Sequence, residues 1–293
     1  MKSIEPVELS RLLGAIPELL PTLRRGTKTF DLVAQVAARA AQESGFASGG
    51  SGETLGEFGH VVLPFRKMGA IDTLDLLGLD ELVVFCFYFD NRDRYSTAAD
   101  LGANCGLHSL LMARLGWRVE AYEPDPDHVA VIRENLRLNR VEKVEVHQKA
   151  ASDADGAAKF IRVLGNTTGS HIAGAKTSPY GELETFEVEC EGIRSIMSRV
   201  DFIKMDVEGQ EAKIIRATRT DDWRGTDVML EVGTAENARA IYEHLSALGV
   251  AMFPQKIGWV RAHSADDLPS HHSQGSLFAS LERVSPWSGN DAS

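Results

Sequence analysis

The chain of 293 residues is 43% hydrophobic and 25% charged, with 26 Gly and 10 Pro. This is the make-up of a globular protein, not a disordered or collagen-like one, and at about twice the usual domain size it suits one large α/β core or a core with an appendage. Its 31 Lys and Arg against 42 Asp and Glu leave a net charge of −11, which repels phosphate backbones, so no nucleic-acid partner is expected.

Three widely spaced cysteines, Cys86, Cys105 and Cys190, argue against a disulfide framework or zinc knuckle and for a reducing cytoplasm. Met1 to Pro6 lacks the apolar stretch and cleavage site of a signal peptide, so export is not expected. The longest apolar run, Leu82 to Phe89, falls far short of the roughly 20 residues that span a bilayer, so no membrane partner is expected either.

Residues 7–43 read as helices. Val7, Leu9, Leu12, Leu13 and Ile16 recur at near-helical spacing, Asp31 is placed to cap a second helix carrying Leu32, Val33, Val36 and Ala37, and Pro17 and Pro21 are expected to break the two. Ser44 to Gly52 has a flexible-linker composition. The sequence thus divides into an N-terminal helical region and linker (1–52), a lead-in segment (53–96), the main domain (97–285) and a tail (286–293). The N-terminal helices are the expected surface for any homo-oligomer. Within the lead-in, the aromatic and β-branched content of Leu82 to Phe89 predicts a buried strand.

After Thr97, short apolar strands alternate with amphipathic helices, which predicts a doubly wound parallel sheet. Strands are expected at Thr97 to Leu101, Arg118 to Tyr122, Val144 to Gln148, Phe202 to Met205 and Val228 to Val232. Helices are expected at Leu107 to Leu115, from Pro126 behind an Asp125 cap, at Gln210 to Ala217 and at Ala235 to Leu248. Val250 to Pro254 and Ser276 to Leu281 suit a closing pair on one edge. Between the third and fourth strands, Lys159 to Leu164 and Glu184 to Cys190 alternate like a hairpin, an insertion suited to covering a substrate.

Asp100-Leu101-Gly102-Ala103-Asn104-Cys105-Gly106 sits where the first strand opens into a helix, the usual ligand position of such sheets. The pattern is D-x-G-x-x-x-G. Asn104 replaces the middle glycine of the phosphate-binding fingerprint, and Asp100 would repel a phosphate. S-adenosylmethionine has no phosphate and carries an ammonium and a sulfonium, so a carboxylate favours it. Glu123, at the end of the second strand, has the spacing of a carboxylate that accepts both ribose hydroxyls. Small residues in Lys149-Ala150-Ala151-Ser152-Asp153 could let an adenine lie against the backbone, with Ala151 and Ser152 as its contacts, although a plain surface turn before Gly156 is the better-supported reading.

The second motif, Lys204-Met205-Asp206-Val207-Glu208-Gly209-Gln210-Glu211, follows the fourth strand on the same sheet edge. With D-L-G-A-N-C-G, the K-M-D-V-E-G-Q-E run and the N-L-R-L-N of Asn135 to Asn139, the chain resembles the FkbM family of S-adenosylmethionine-dependent methyltransferases over about residues 97–232. The resemblance implies a class I methyltransferase fold, Rossmann-like, and methylation of a hydroxyl on a small metabolite or sugar. By position it implies that Asp100, Gly102, Asn104 and Gly106 form the methionine-binding turn, that Glu123 holds the ribose, and that Asp206 and Glu208 line the reacting centre. The chain departs from the family at Gly192-Ile193, where Leu-Asp is common.

Asp206 is the first candidate for base or substrate positioner. Glu208 and Glu211 suit the capping of a helix N-terminus better than chemistry, and His171, in the insertion, is a rival base, although a solvated side chain is the commoner reading of a lone loop histidine. The three acids of this turn could also hold Mg²⁺, but a cluster on one turn is thin support, and no metal is assigned. His108 is read as facing a helix start, His271-His272 as an exposed loop, and Tyr88, Phe89 and Tyr95 as either pocket or core. Two other readings use the same crevice: a nicotinamide-dependent oxidoreductase, disfavoured by the missing phosphate fingerprint, and a cofactor-binding assembly module without activity.

Overall fold

A computed structural model describes residues 8–47, 52–69, 71–165, 169–174, 181–282 and 286–287. Part of the expected linker, residues 48–51, therefore lies outside the described residues. Two helices open the chain, α1 (Leu9–Leu19) and α2 (Lys28–Glu43). Pro17 lies inside α1 instead of ending it. Proline has no N–H to give the carbonyl four residues back, and the Cys86 thiol donates to that Leu13 carbonyl at 3.3 Å. The cap of α2 is Thr27, whose hydroxyl accepts the Phe30 N–H. Asp31 falls in the first turn, where a negative charge suits the helix dipole.

After the short pair β1 (Glu53–Thr54) and β2 (His60–Val61) comes α3 (Leu79–Asp90). The expected strand at Leu82 to Phe89 is thus the middle of a helix. Its run is apolar all round because the helix is buried all round. The amino-terminal helices cover one side, and on the other Phe87 packs against Phe202 and Phe278 of the sheet with ring centroids 5.4 Å apart. A helix without a polar face shows no 3.6-residue period, so composition alone misleads. Leu9, Phe30, Leu82 and Phe202 belong to one apolar cluster, so the N-terminal helices share the core of the sheet.

The main domain alternates β3 (Thr97–Leu101), α4 (Leu107–Arg114), β4 (Arg118–Tyr122), α5 (Pro126–Leu138) and β5 (Val144–His147). Next come β6 (Ala150–Ser152), β7 (Gly156–Val163), β8 (His171–Ile172), β9 (Leu183–Gly192) and α6 (Ile193–Met197). The domain closes with β10 (Phe202–Met205), α7 (Glu211–Arg216), β11 (Asp227–Glu231), α8 (Ala235–Leu248), β12 (Ala251–Pro254) and β13 (Ser276–Ser280).

Seven strands form one sheet in the order β12-β13-β11-β10-β3-β4-β5. Pairing is parallel from β11 to β5, while β13 runs antiparallel to both its neighbours. The sheet is therefore mixed, with the closing pair at one edge, and this is the class I methyltransferase arrangement. The expected hairpin is β7 against β9, antiparallel, in a second sheet ordered β6-β9-β7-β8. Gly192 ends β9 and is the N-cap of α6. Its N–H donates to the Asp155 carboxylate at 2.8 Å, and a Cβ would come within 3.1 Å of Ala154, which gives this chain a local reason for glycine at the departure. Among the described residues no helix is long and apolar enough to cross a membrane.

Candidate active site

A cleft of about 660 Å³ lies at the carboxyl ends of β3, β4 and β10, under the second sheet. Of the residues singled out from sequence, Gly102, Asn104, Glu123, Ala151, His171, Asp206 and Glu208 line it. The glycine turn owes its shape to backbone geometry. Gly102 has φ +79° and Asn104 φ +52°, in the left-handed region that asparagine tolerates better than most residues. A Cβ on Gly102 would drive into the Asp206 carbonyl oxygen, so the two motifs touch directly at this position. Asn135, buried on α5, donates to the Cys105 carbonyl at 2.8 Å and braces the turn. Asn139 both donates to and accepts from the backbone of Val62, which explains both asparagines of N-L-R-L-N.

Three of the expected contacts are not on the cleft wall. Asp100 is fully buried and points into the core. One of its oxygens accepts the Ser109 N–H and hydroxyl at 3.0 and 2.6 Å, anchoring the first turn of α4. Gly106 is the left-handed N-cap of α4 (φ +77°), where a Cβ would meet Ile132 at 2.9 Å. Ser152 turns its hydroxyl to Asp153. Asp100 and Gly106 shape the turn from beneath: Asp100 lies on β3, whose alternation sends every second side chain away from the cleft, and Gly106 starts α4 in a left-handed conformation.

Glu123 is 5% exposed. One oxygen accepts the Asn104 N–H at 2.9 Å, and the other accepts the Asp125 N–H at 3.0 Å and lies 3.6 Å from His128 Nδ1. His128 also lines the cleft. Burial pushes its imidazole toward neutrality, but the hydrogen bond and charge of Glu123, helped by Asp125, outweigh this and lift it above the ordinary histidine value. A raised value in the folded state adds stability that is complete below about pH 6.5 and is lost as pH climbs through the raised value. His128→Gln is therefore expected to cost about 1 kcal/mol near pH 6 and much less near pH 8.5. Urea unfolding at the two pH values checks this, and an equal loss at both contradicts it.

In the second motif, Glu211 is buried, and one oxygen accepts the N–H groups of Val207 and Gly209, both at 3.1 Å. It ties the turn in place while Asp206 and Glu208 reach the cleft, Glu208 at φ +54°. Behind Asp206 lies a buried charge cluster. Lys204 Nζ is 3.5 Å from Asp206; burial would lower its value, but the charges of Asp206, Asp100, Glu81 and Glu231 raise it above the usual lysine range, so it stays cationic. Burial, with the charges of Asp206 and Glu81, pushes the Glu231 carboxyl well up, and it is hydrogen-bonded to Asp206.

His108 sits between Tyr88 and Glu81 at 2.9 and 3.1 Å, part of this buried network and away from the cleft. Tyr95 donates to Asp227 at 2.7 Å in the core, and His271 is exposed. Burial raises the Cys86 and Cys105 thiols to about 12 and about 11, which rules out a thiolate nucleophile there at neutral pH. Sequence reasoning missed His128, Phe160, Ser170 and Ile172, which line the cleft. For His128 the available signal was its place in the first turn after Asp125-Pro126. For the other three there was none beyond their place in the insertion.

The match to known proteins agrees with this geometry. Residues 100–250 match the family model described as the methyltransferase FkbM domain. Methyltransferase 1 of Beauveria bassiana (strain ARSEF 2860) is 30% identical over 152 residues, 44% of this chain and 60% of that protein, so the match spans less than two thirds of the relative. Among solved structures, the ribosomal protein L11 methylase of Lactobacillus delbrueckii subsp. bulgaricus is 11% identical with a TM-score of 0.38, covering 69% of this chain and 79% of that one. The O-methyltransferase of Bacillus cereus in complex with SAH is 13% identical with a TM-score of 0.37, covering 67% and 77%. With both motifs meeting at one cleft and the family model spanning more than half of its length, the chain belongs to the FkbM methyltransferase family.

Proposed function

We propose that the protein is an S-adenosylmethionine-dependent O-methyltransferase acting on a hydroxylated small molecule. The observation that carries this is Glu123, buried beside the glycine turn, with each oxygen already accepting one backbone N–H. A carboxylate has about four acceptor sites; two take backbone N–H groups and one faces His128, so one remains for a ribose hydroxyl, and the residues present fit the cofactor. When bound, the cofactor supplies an electrophilic methyl group on a sulfonium.

The protein's part is alignment and proton removal. Asp206, held by its N–H on the Leu101 carbonyl at 2.9 Å, faces the cleft as a carboxylate able to take the acceptor's hydroxyl proton. Positioning the reacting atoms in line supplies much of the rate.

The test is calorimetric titration with S-adenosylhomocysteine. Hydrogen bonds to a charged acceptor contribute about 1.5 to 3 kcal/mol each, so Glu123→Ala is expected to weaken binding by about tenfold or more. Equal affinity for wild type and variant removes the ribose assignment, and absence of wild-type binding removes the function.

A further inference from the structure

His171 is 1% exposed and lines the cleft. Its Nδ1 lies 2.8 Å from the Gly169 carbonyl. A carbonyl only accepts, so Nδ1 carries the proton, and Nε2 of the neutral ring is a lone-pair acceptor. Among the described residues, that buried Nε2 has no hydrogen-bond partner. A buried acceptor left unpaired loses its hydration without compensation, a loss that a bound donor would recover.

The position of β8 selects the donor. His171 and Ile172 pair with Ile161 and Phe160 of β7, and Val163 at the end of β7 donates to the Ser170 hydroxyl. Next to them, Arg162 grips Asp125, the N-cap of α5, with Nε 2.8 Å from the carboxylate, and lies 3.1 Å from Asp127. This edge of the cover is therefore latched onto the turn after β4. Asp206 follows β10, two strands away across β3, about 10 Å at the usual strand spacing. With the methionine end at the β3 turn and the ribose at Glu123, the next group along the nucleoside is the base, beside Pro124 and Ala150 to Ala151. Adenine offers ring nitrogens that accept and one group that donates, its 6-amino group.

We propose that His171 Nε2 accepts a hydrogen bond from the adenine 6-amino group, making His171 a specificity-determining residue supplied by the inserted sheet and not the base of the methyl transfer. The inference rests on the S-adenosylmethionine reading above. Titration of S-adenosylhomocysteine and of its 6-oxo analogue, S-inosylhomocysteine, tests it, because the 6-oxo group turns the donor into an acceptor facing another acceptor. Wild type is expected to prefer the adenosyl compound by about tenfold or more. His171→Leu is expected to bring that preference to about twofold or less, and His171→Gln, whose amide oxygen can stand near Nε2, to keep most of it.

Equal binding of both compounds by wild type overturns the proposal even if His171→Leu fails to fold. So does an undiminished preference in folded His171→Leu, including the case where its turnover falls while its ligand preference does not, the pattern of a base. Wild type that binds neither compound removes the nucleoside reading, and this proposal with it.

Discussion

Gly102→Ala is expected to destabilise the fold by about 3 kcal/mol or more and to abolish binding of S-adenosylhomocysteine. Two costs combine at this residue. Its φ of +79° lies in the region where an L side chain costs about 1–2 kcal/mol, and the added methyl would overlap the Asp206 carbonyl oxygen, a backbone atom that cannot rotate away. Gly249 is the matched control, because its φ is +78° and a Cβ there meets nothing within 4 Å. Gly249→Ala is expected to show the backbone cost alone, about 1–2 kcal/mol, with ligand binding intact. Urea unfolding of the two variants separates the terms. Equal stability losses would mean that the two motifs are not in contact at this point.

Asp206→Asn is expected to lower kcat by about 10² to 10⁴-fold while changing affinity for S-adenosylhomocysteine by less than about threefold. The amide is nearly the same size, so the turn built by Glu211 and the Leu101 carbonyl survives, but it takes up no proton from an acceptor hydroxyl. It also alters the buried cluster, since Glu231 loses its carboxylate partner and Lys204 an acidic neighbour 3.5 Å away. Single-turnover kinetics with saturating cofactor reads the chemical step. A variant that keeps wild-type turnover, or one that loses cofactor affinity in proportion to its rate, contradicts the assignment of Asp206 as base.

What could be read along the chain was whatever local backbone geometry dictates. The two acidic motifs and the Asp125-Pro126 start of α5 were legible because a left-handed turn or a helix cap restricts which residues fit within a few positions. Glu123 was legible as well, because its place at a strand end follows from the alternation of strand and helix. The hairpin of β7 and β9 showed in its period of two.

Tertiary packing decided the rest. α3 looks like a strand until two layers of neighbours are seen to bury every side of it, and the cap of α2 belongs to Thr27, not to the more conspicuous Asp31. Asp100 carries the same motif letter whether it faces a ligand or the core, and only its bonds to Ser109 show that it faces the core. The nitrogen that His171 brings to the cleft from the second sheet, without a partner among the described residues, depends on a separate element closing over the site. A side chain's type is written in the sequence, but its partner is fixed by burial, which exists only once the layers have closed over the cleft.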